Sequence, residues 1–138
     1  MNGYGKTSAL AFVSVALLLA GGAPSLAGDQ SAPQIKVVPL DPGGQSYLPL
    51  LKGPPETKSL HSGLVILAPG ESVGEHNTGR NEEMLVPLEG EGELRFTSHP
   101  AIHLKPGLVT YAPPHTEHNV VNTGSVPLRY IYITAKAE

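Results

Sequence analysis

Glycine and proline interrupt this chain so often that no long helix fits into it. Sixteen glycines and fourteen prolines are spread through 138 residues. Between them lie short runs rich in Val, Ile, Leu, Tyr and Thr, bounded by Asp41-Pro42-Gly43-Gly44, Gly53-Pro54-Pro55, Pro69-Gly70, Pro106-Gly107, Pro113-Pro114 and Thr123-Gly124. β-Branched and aromatic runs between turn residues read as strands. They are expected at 35–40, 46–51, 58–67, 83–88, 93–97, 101–104, 108–112, 118–122 and 128–134. The fold class is therefore all-β, a sandwich or barrel. Residues 64–67 and 131–133 are apolar on successive positions, as expected where both faces of a sheet are covered.

The first stretch differs from the rest. Lys6 is followed by an apolar run over 9–20 and then by Ser25-Leu26-Ala27, a small-x-small pattern. Charge, short apolar run and small-residue end make a secretory signal peptide, 1–27, cleaved before Gly28. The run falls short of the ~20 residues a bilayer span needs. The protein is thus expected to be exported to the periplasm or the medium, free of the membrane once the leader is removed. A mobile mature N-terminus is expected over 28–34 and one domain over 35–138. There is no cysteine, so no disulfide supports this domain. The formal charge of −3 becomes −4 with the loss of Lys6, and no basic cluster suits a nucleic acid. The expected ligand is a small molecule.

Six histidines and a few carboxylates carry the chemistry. In YAPPHTEHNVVNTG, residues 111–124, His115 and His118 stand three apart behind two prolines. On a strand such positions face opposite ways. His118 is then the inward candidate, and His115 lies at the turn. Upstream, His76 and Glu83 have opposite strand parity, so they share an interior only if the chain reverses between them. The intervening Asn77-Thr78-Gly79-Arg80-Asn81 permits such a reversal. Two imidazoles and one carboxylate suit a divalent ion such as Fe, Mn, Ni or Zn. Glu82 and Arg80 read as solvated neighbours, His99 and His103 as hairpin residues, and Tyr111, Tyr130 and Tyr132 as core or interface aromatics.

These stretches resemble the two motifs of the cupin superfamily. Gly70, His76, Glu83 and Gly90 stand at the first motif's spacing, with Thr78 where the family places a second histidine. Gly107, Pro113, His118 and Asn122 stand at the second motif's spacing, with His115 at its glycine position. The resemblance implies a small jelly-roll β-barrel (a double-stranded β-helix) holding a divalent metal on His76, Glu83 and His118, and the family habit implies a homodimer. Thr78 leaves three outcomes open. The metal is held by three protein ligands with open positions, or a histidine from elsewhere (His61 or His103) completes the set, or the barrel binds a small molecule without metal. Activity of the dioxygenase or isomerase kind and non-catalytic binding or sensing are both consistent with this pattern.

Overall fold

The computed structural model describes residues 33–137. The expected leader, 1–27, and most of the segment 28–34 lie outside the described residues. The described chain contains nine strands and no helix: β1 (Tyr47–Lys52), β2 (His61–Leu67), β3 (His76–Asn77), β4 (Asn81–Glu89), β5 (Gly92–Phe96), β6 (Ile102–Leu104), β7 (Thr110–Ala112), β8 (Glu117–Val121) and β9 (Leu128–Lys136). They form two antiparallel sheets, one of five strands in the order β1-β2-β9-β4-β7 and one of four in the order β3-β8-β5-β6.

Strand alternation puts the core between the sheets. Along β4, Glu83, Leu85 and Pro87 are buried while Met84 and Val86 are half-buried on the opposite face. The five-stranded sheet contributes Leu67, Leu85, Leu128 and Tyr130 to the core, and the four-stranded sheet contributes Leu94, Leu104 and Val120. The other face of the larger sheet is also apolar: Leu64 is fully buried there, and Ile131 and Ile133 are half-buried. That accounts for the successive apolar residues in β2 and β9.

Eight of the nine expected strands form, within a few residues of their expected ends. The expected strand at 35–40 does not. Ile35 and Val37 are 105% and 93% exposed and belong to no sheet, and Lys36 instead donates through Nζ to the Leu50 carbonyl, at 3.0 Å. β propensity alone does not make a strand where no edge is paired. The structure adds the two-residue strand β3, too short for its pattern to register in the sequence.

Two motif residues at chain reversals have purely architectural roles. Gly90 has φ of 73°, and a Cβ there would lie 2.3 Å from the Pro127 carbonyl oxygen. Asn122 is 1% exposed, donates through Nδ2 to the carbonyls of Leu67 (2.8 Å) and Val126 (2.9 Å), and accepts from the Gly124 amide at 2.9 Å. It ties the end of β2 to the β8–β9 turn. Asn122→Ala would orphan these groups, each at a cost of about 1–3 kcal/mol when buried. The expected result is a loss of roughly 2–4 kcal/mol, read as a lower urea midpoint at an unchanged slope.

Candidate metal centre

The chain crosses from the small sheet to the large one between β3 and β4, through the Asn/Gly-rich turn. This crossing resolves the parity conflict between His76 and Glu83. His76 lies on β3, directly opposite His118 of β8 in the ladder. Glu83 reaches the same point from β4, between Ala112 of β7 and Thr134 of β9. One potential ligand atom from each of the three residues lies within 4.8 Å of the others, and among the described residues no other such group forms. His61 and His103 do not join it. His61 lies against Gly53, and His103 Nε2 stands 3.6 Å from a Glu91 carboxylate oxygen.

Hydrogen bonds set how the two imidazoles present themselves. His118 Nδ1 lies 3.2 Å from the Thr116 carbonyl oxygen, and His76 Nδ1 lies 3.0 Å from that of Gly74. A carbonyl only accepts, so both Nδ1 atoms carry hydrogen and both Nε2 atoms are left for the site. Locking the tautomer in this way is what outer partners of metal-bound histidines do. The rings meet edge to face, with centroids 4.3 Å apart. His118 Nε2 lies 2.9 Å from Glu83 Oε2, with the two side chains 1% and 9% exposed. Burial pushes the His118 pKa down, but the hydrogen bond and charge of Glu83, with help from the Thr116 carbonyl, more than offset this and leave it raised. A metal ion would take the place of that proton. The donor set therefore fits a divalent transition metal: two neutral imidazole nitrogens and a carboxylate, convergent and oriented from behind.

His76 and Glu83 open onto a cavity of about 710 Å³ between the sheets, also bordered by Thr78, Leu85, Val120 and Tyr132. His118 stands behind them. Arg80 is exposed and does not line the cavity, and Glu82 accepts a hydrogen bond from the Tyr111 hydroxyl at 3.1 Å. His115 is exposed and also lies away from the lining. Its φ of 60° falls in the left-handed region, which explains the motif's preference for glycine at this place. Its amide donates to the Gly79 carbonyl at 2.7 Å.

Thr78 has a role the sequence did not reveal. Its hydroxyl donates to the Pro113 carbonyl (2.9 Å) and accepts from the Thr116 amide (2.9 Å). The side chain is 7% exposed. Thr78 therefore clamps the end of β3 to the segment that leads into His118.

The cupin-domain family model matches residues 63–134. The chain belongs to the cupin family. Solved structures agree. A cupin 2 conserved barrel domain protein from Salinispora arenicola superposes with a TM-score of 0.62 at 24% identity, over 75% of this chain and 91% of that one. A cupin superfamily protein from Desulfitobacterium hafniense gives 0.56 at 24% identity, over 77% and 95%. The Schizosaccharomyces pombe Cnp3 cupin domain gives 0.58 at 21% identity, over 65% of this chain and 59% of that chain. The DMSP lyase DddQ from Ruegeria pomeroyi gives 0.57 at 25% identity, over 66% and 46%. No curated protein matches this cupin in sequence.

The clamp predicts a specific mutant phenotype. Thr78→Val keeps the shape but leaves the Pro113 carbonyl and the Thr116 amide without their partner, so it should cost about 1–3 kcal/mol. Thr78→Ser, which keeps the hydroxyl, should recover most of that loss in the same thermal denaturation series.

Proposed function

We propose that this cupin binds a divalent transition metal (Fe, Mn, Ni or Zn) on His76, Glu83 and His118 and receives a small molecule in the adjoining cavity. The observation that carries this reading is the convergence of three ligand atoms within 4.8 Å at the wall of a cavity of about 710 Å³. A metal ion with open positions supplies Lewis acidity to a ligand oxygen. The protein's own residues do the rest. The Nδ1 bonds aim the imidazoles, and the Thr78 clamp fixes the approach to His118. Chemistry of the dioxygenase, isomerase or lyase kind suits such a centre. A DMSP lyase, as above, and a predicted oxalate decarboxylase from Thermotoga maritima (26% identity, TM-score 0.52, over 55% of this chain and 65% of that one) share the fold. Their differing activities agree with a reaction set by cavity residues rather than by the fold.

One observation favours a second reading, a non-catalytic binding or sensing barrel. Among the described residues, apart from the proposed ligands, the only carboxylate on the cavity wall is Glu71, and it accepts a hydrogen bond from the Ala68 amide at 2.8 Å. One oxygen of Glu71 is thus engaged, and among the described lining residues no further carboxylate or imidazole lies outside the proposed ligand set. The readings separate on the fate of a bound molecule. A catalytic centre returns it altered from metal-loaded protein, whereas a sensing barrel returns it intact.

The leader pattern supports export to the periplasm or medium, with residues 1–27 removed. The half-buried apolar face built from Met84, Val86, Ile131 and Ile133 supports association of two copies. Sedimentation of the mature protein at about twice its monomer mass is the expected result, and a monomer at working concentrations would refute the dimer.

Metal analysis tests the main reading. The purified protein should carry or take up close to one metal ion per chain, and His118→Ala and Glu83→Ala should each weaken uptake by more than roughly 100-fold, beyond what loss of an outer partner costs. A parent that stays empty after exposure to Fe, Mn, Ni and Zn would overturn it.

A further inference from the structure

The cavity wall includes two tyrosines, Tyr47 and Tyr132, that are paired with each other. Tyr47 of β1 and Tyr132 of β9 are separated by β2, yet their rings lie nearly parallel, 8° apart with centroids at 6.4 Å. Their hydroxyl oxygens are 2.9 Å apart, across 85 residues of sequence. Gly63 of β2 makes this possible. It sits directly opposite Tyr132 in the ladder, and a Cβ on it would come within 2.7 Å of both rings. Any larger residue there would push the two rings apart.

Two phenols bonded to each other leave one hydroxyl hydrogen and several lone pairs unused. Burial raises the Tyr132 pKa well above its ordinary value, reinforced by the bond to Tyr47 and by the charge of Glu83, so Tyr132 keeps its proton. Both rings border the cavity. Among the described residues that line it, none is lysine or arginine, and the only charged side chains are the carboxylates of Glu71 and Glu83. About half of the remaining lining residues are aliphatic or aromatic, including Val65, Leu67, Leu85 and Val120. In the metal-free protein, an incoming carboxylate or phosphate would meet no lysine or arginine among these residues and would face the Glu71 carboxylate, of its own sign, while Glu83 is paired with His118.

We infer that the cavity selects an uncharged, mainly apolar molecule bearing a hydroxyl or carbonyl oxygen, which docks on the Tyr47–Tyr132 hydroxyl pair. This inference rests on the reading that the cavity receives a small molecule, and it does not require the metal. Gly63 is the residue that allows the pair to form, and the aliphatic wall holds the body of the ligand.

Matched probes test it by calorimetry on the purified protein stripped of metal. 2-Naphthol, neutral at pH 7, should bind at least ten times more tightly than 2-naphthoate. Tyr47→Phe and Tyr132→Phe keep the stacked rings and remove one hydroxyl each, so each should weaken 2-naphthol roughly two- to tenfold, the worth of one hydrogen bond. Metal content of both variants should equal that of the parent. Failure of 2-naphthol to bind, naphthoate binding equally well or better, or Phe variants with unchanged affinity would each overturn the inference. Failure here with stoichiometric metal on the parent leaves the metal centre standing. Selective 2-naphthol binding by a protein that takes up no metal overturns the metal centre alone.

Discussion

The contact between His118 and Glu83 joins the two sheets through a buried polar pair. One partner comes from the small sheet and the other from the large one, and both are almost wholly shielded from water. A buried carboxylate or imidazolium is costly unless it is paired. The 2.9 Å separation gives each its partner, with His76 packed edge to face against His118. Removing one member would strand the other, so the pair both closes the sandwich at this point and keeps a ligand set assembled. The same two groups serve the architecture and belong to the proposed metal site.

Around that contact, several motif positions act on the backbone rather than on a ligand. Gly90 lets Pro127 pass close by, Asn122 staples the β8–β9 turn, and His115 tolerates a left-handed backbone at a glycine position. Thr78 belongs with them. Its hydroxyl spans the gap to the segment that carries His118. At this motif position the chain carries a hydroxyl that clamps the backbone beside the three potential donors.

The strands were legible because punctuation and β propensity agree along most of the chain, and the large sheet shows its two faces plainly in β4. His76, Glu83 and His118 were legible through spacing. What escaped was whatever depends on partners distant in sequence. β3 exists only because His76 and Asn77 pair with β8, and 35–40 fails as a strand because nothing pairs with it. The Tyr47–Tyr132 pair and its dependence on Gly63 need the register of three strands, which no local pattern encodes. Thr78 could be recognised as a departure from the motif, but its bonds to residues 113 and 116 become visible only once the loop has folded back.

A site built from a shared contact and a cavity that shuns side-chain cations divides the labour between the two ends of the pocket. In the proposed site the histidine–carboxylate group would hold an ion, and the tyrosine pair would select the molecule that reaches it. The most direct test of this arrangement is an anomalous-scattering map at the metal edge from crystals of the metal-loaded protein. It should show one peak bonded to Nε2 of His76, Nε2 of His118 and a carboxylate oxygen of Glu83, with both Nδ1 atoms still donating to their carbonyls. A peak away from these three residues, or coordination through Nδ1, would contradict it.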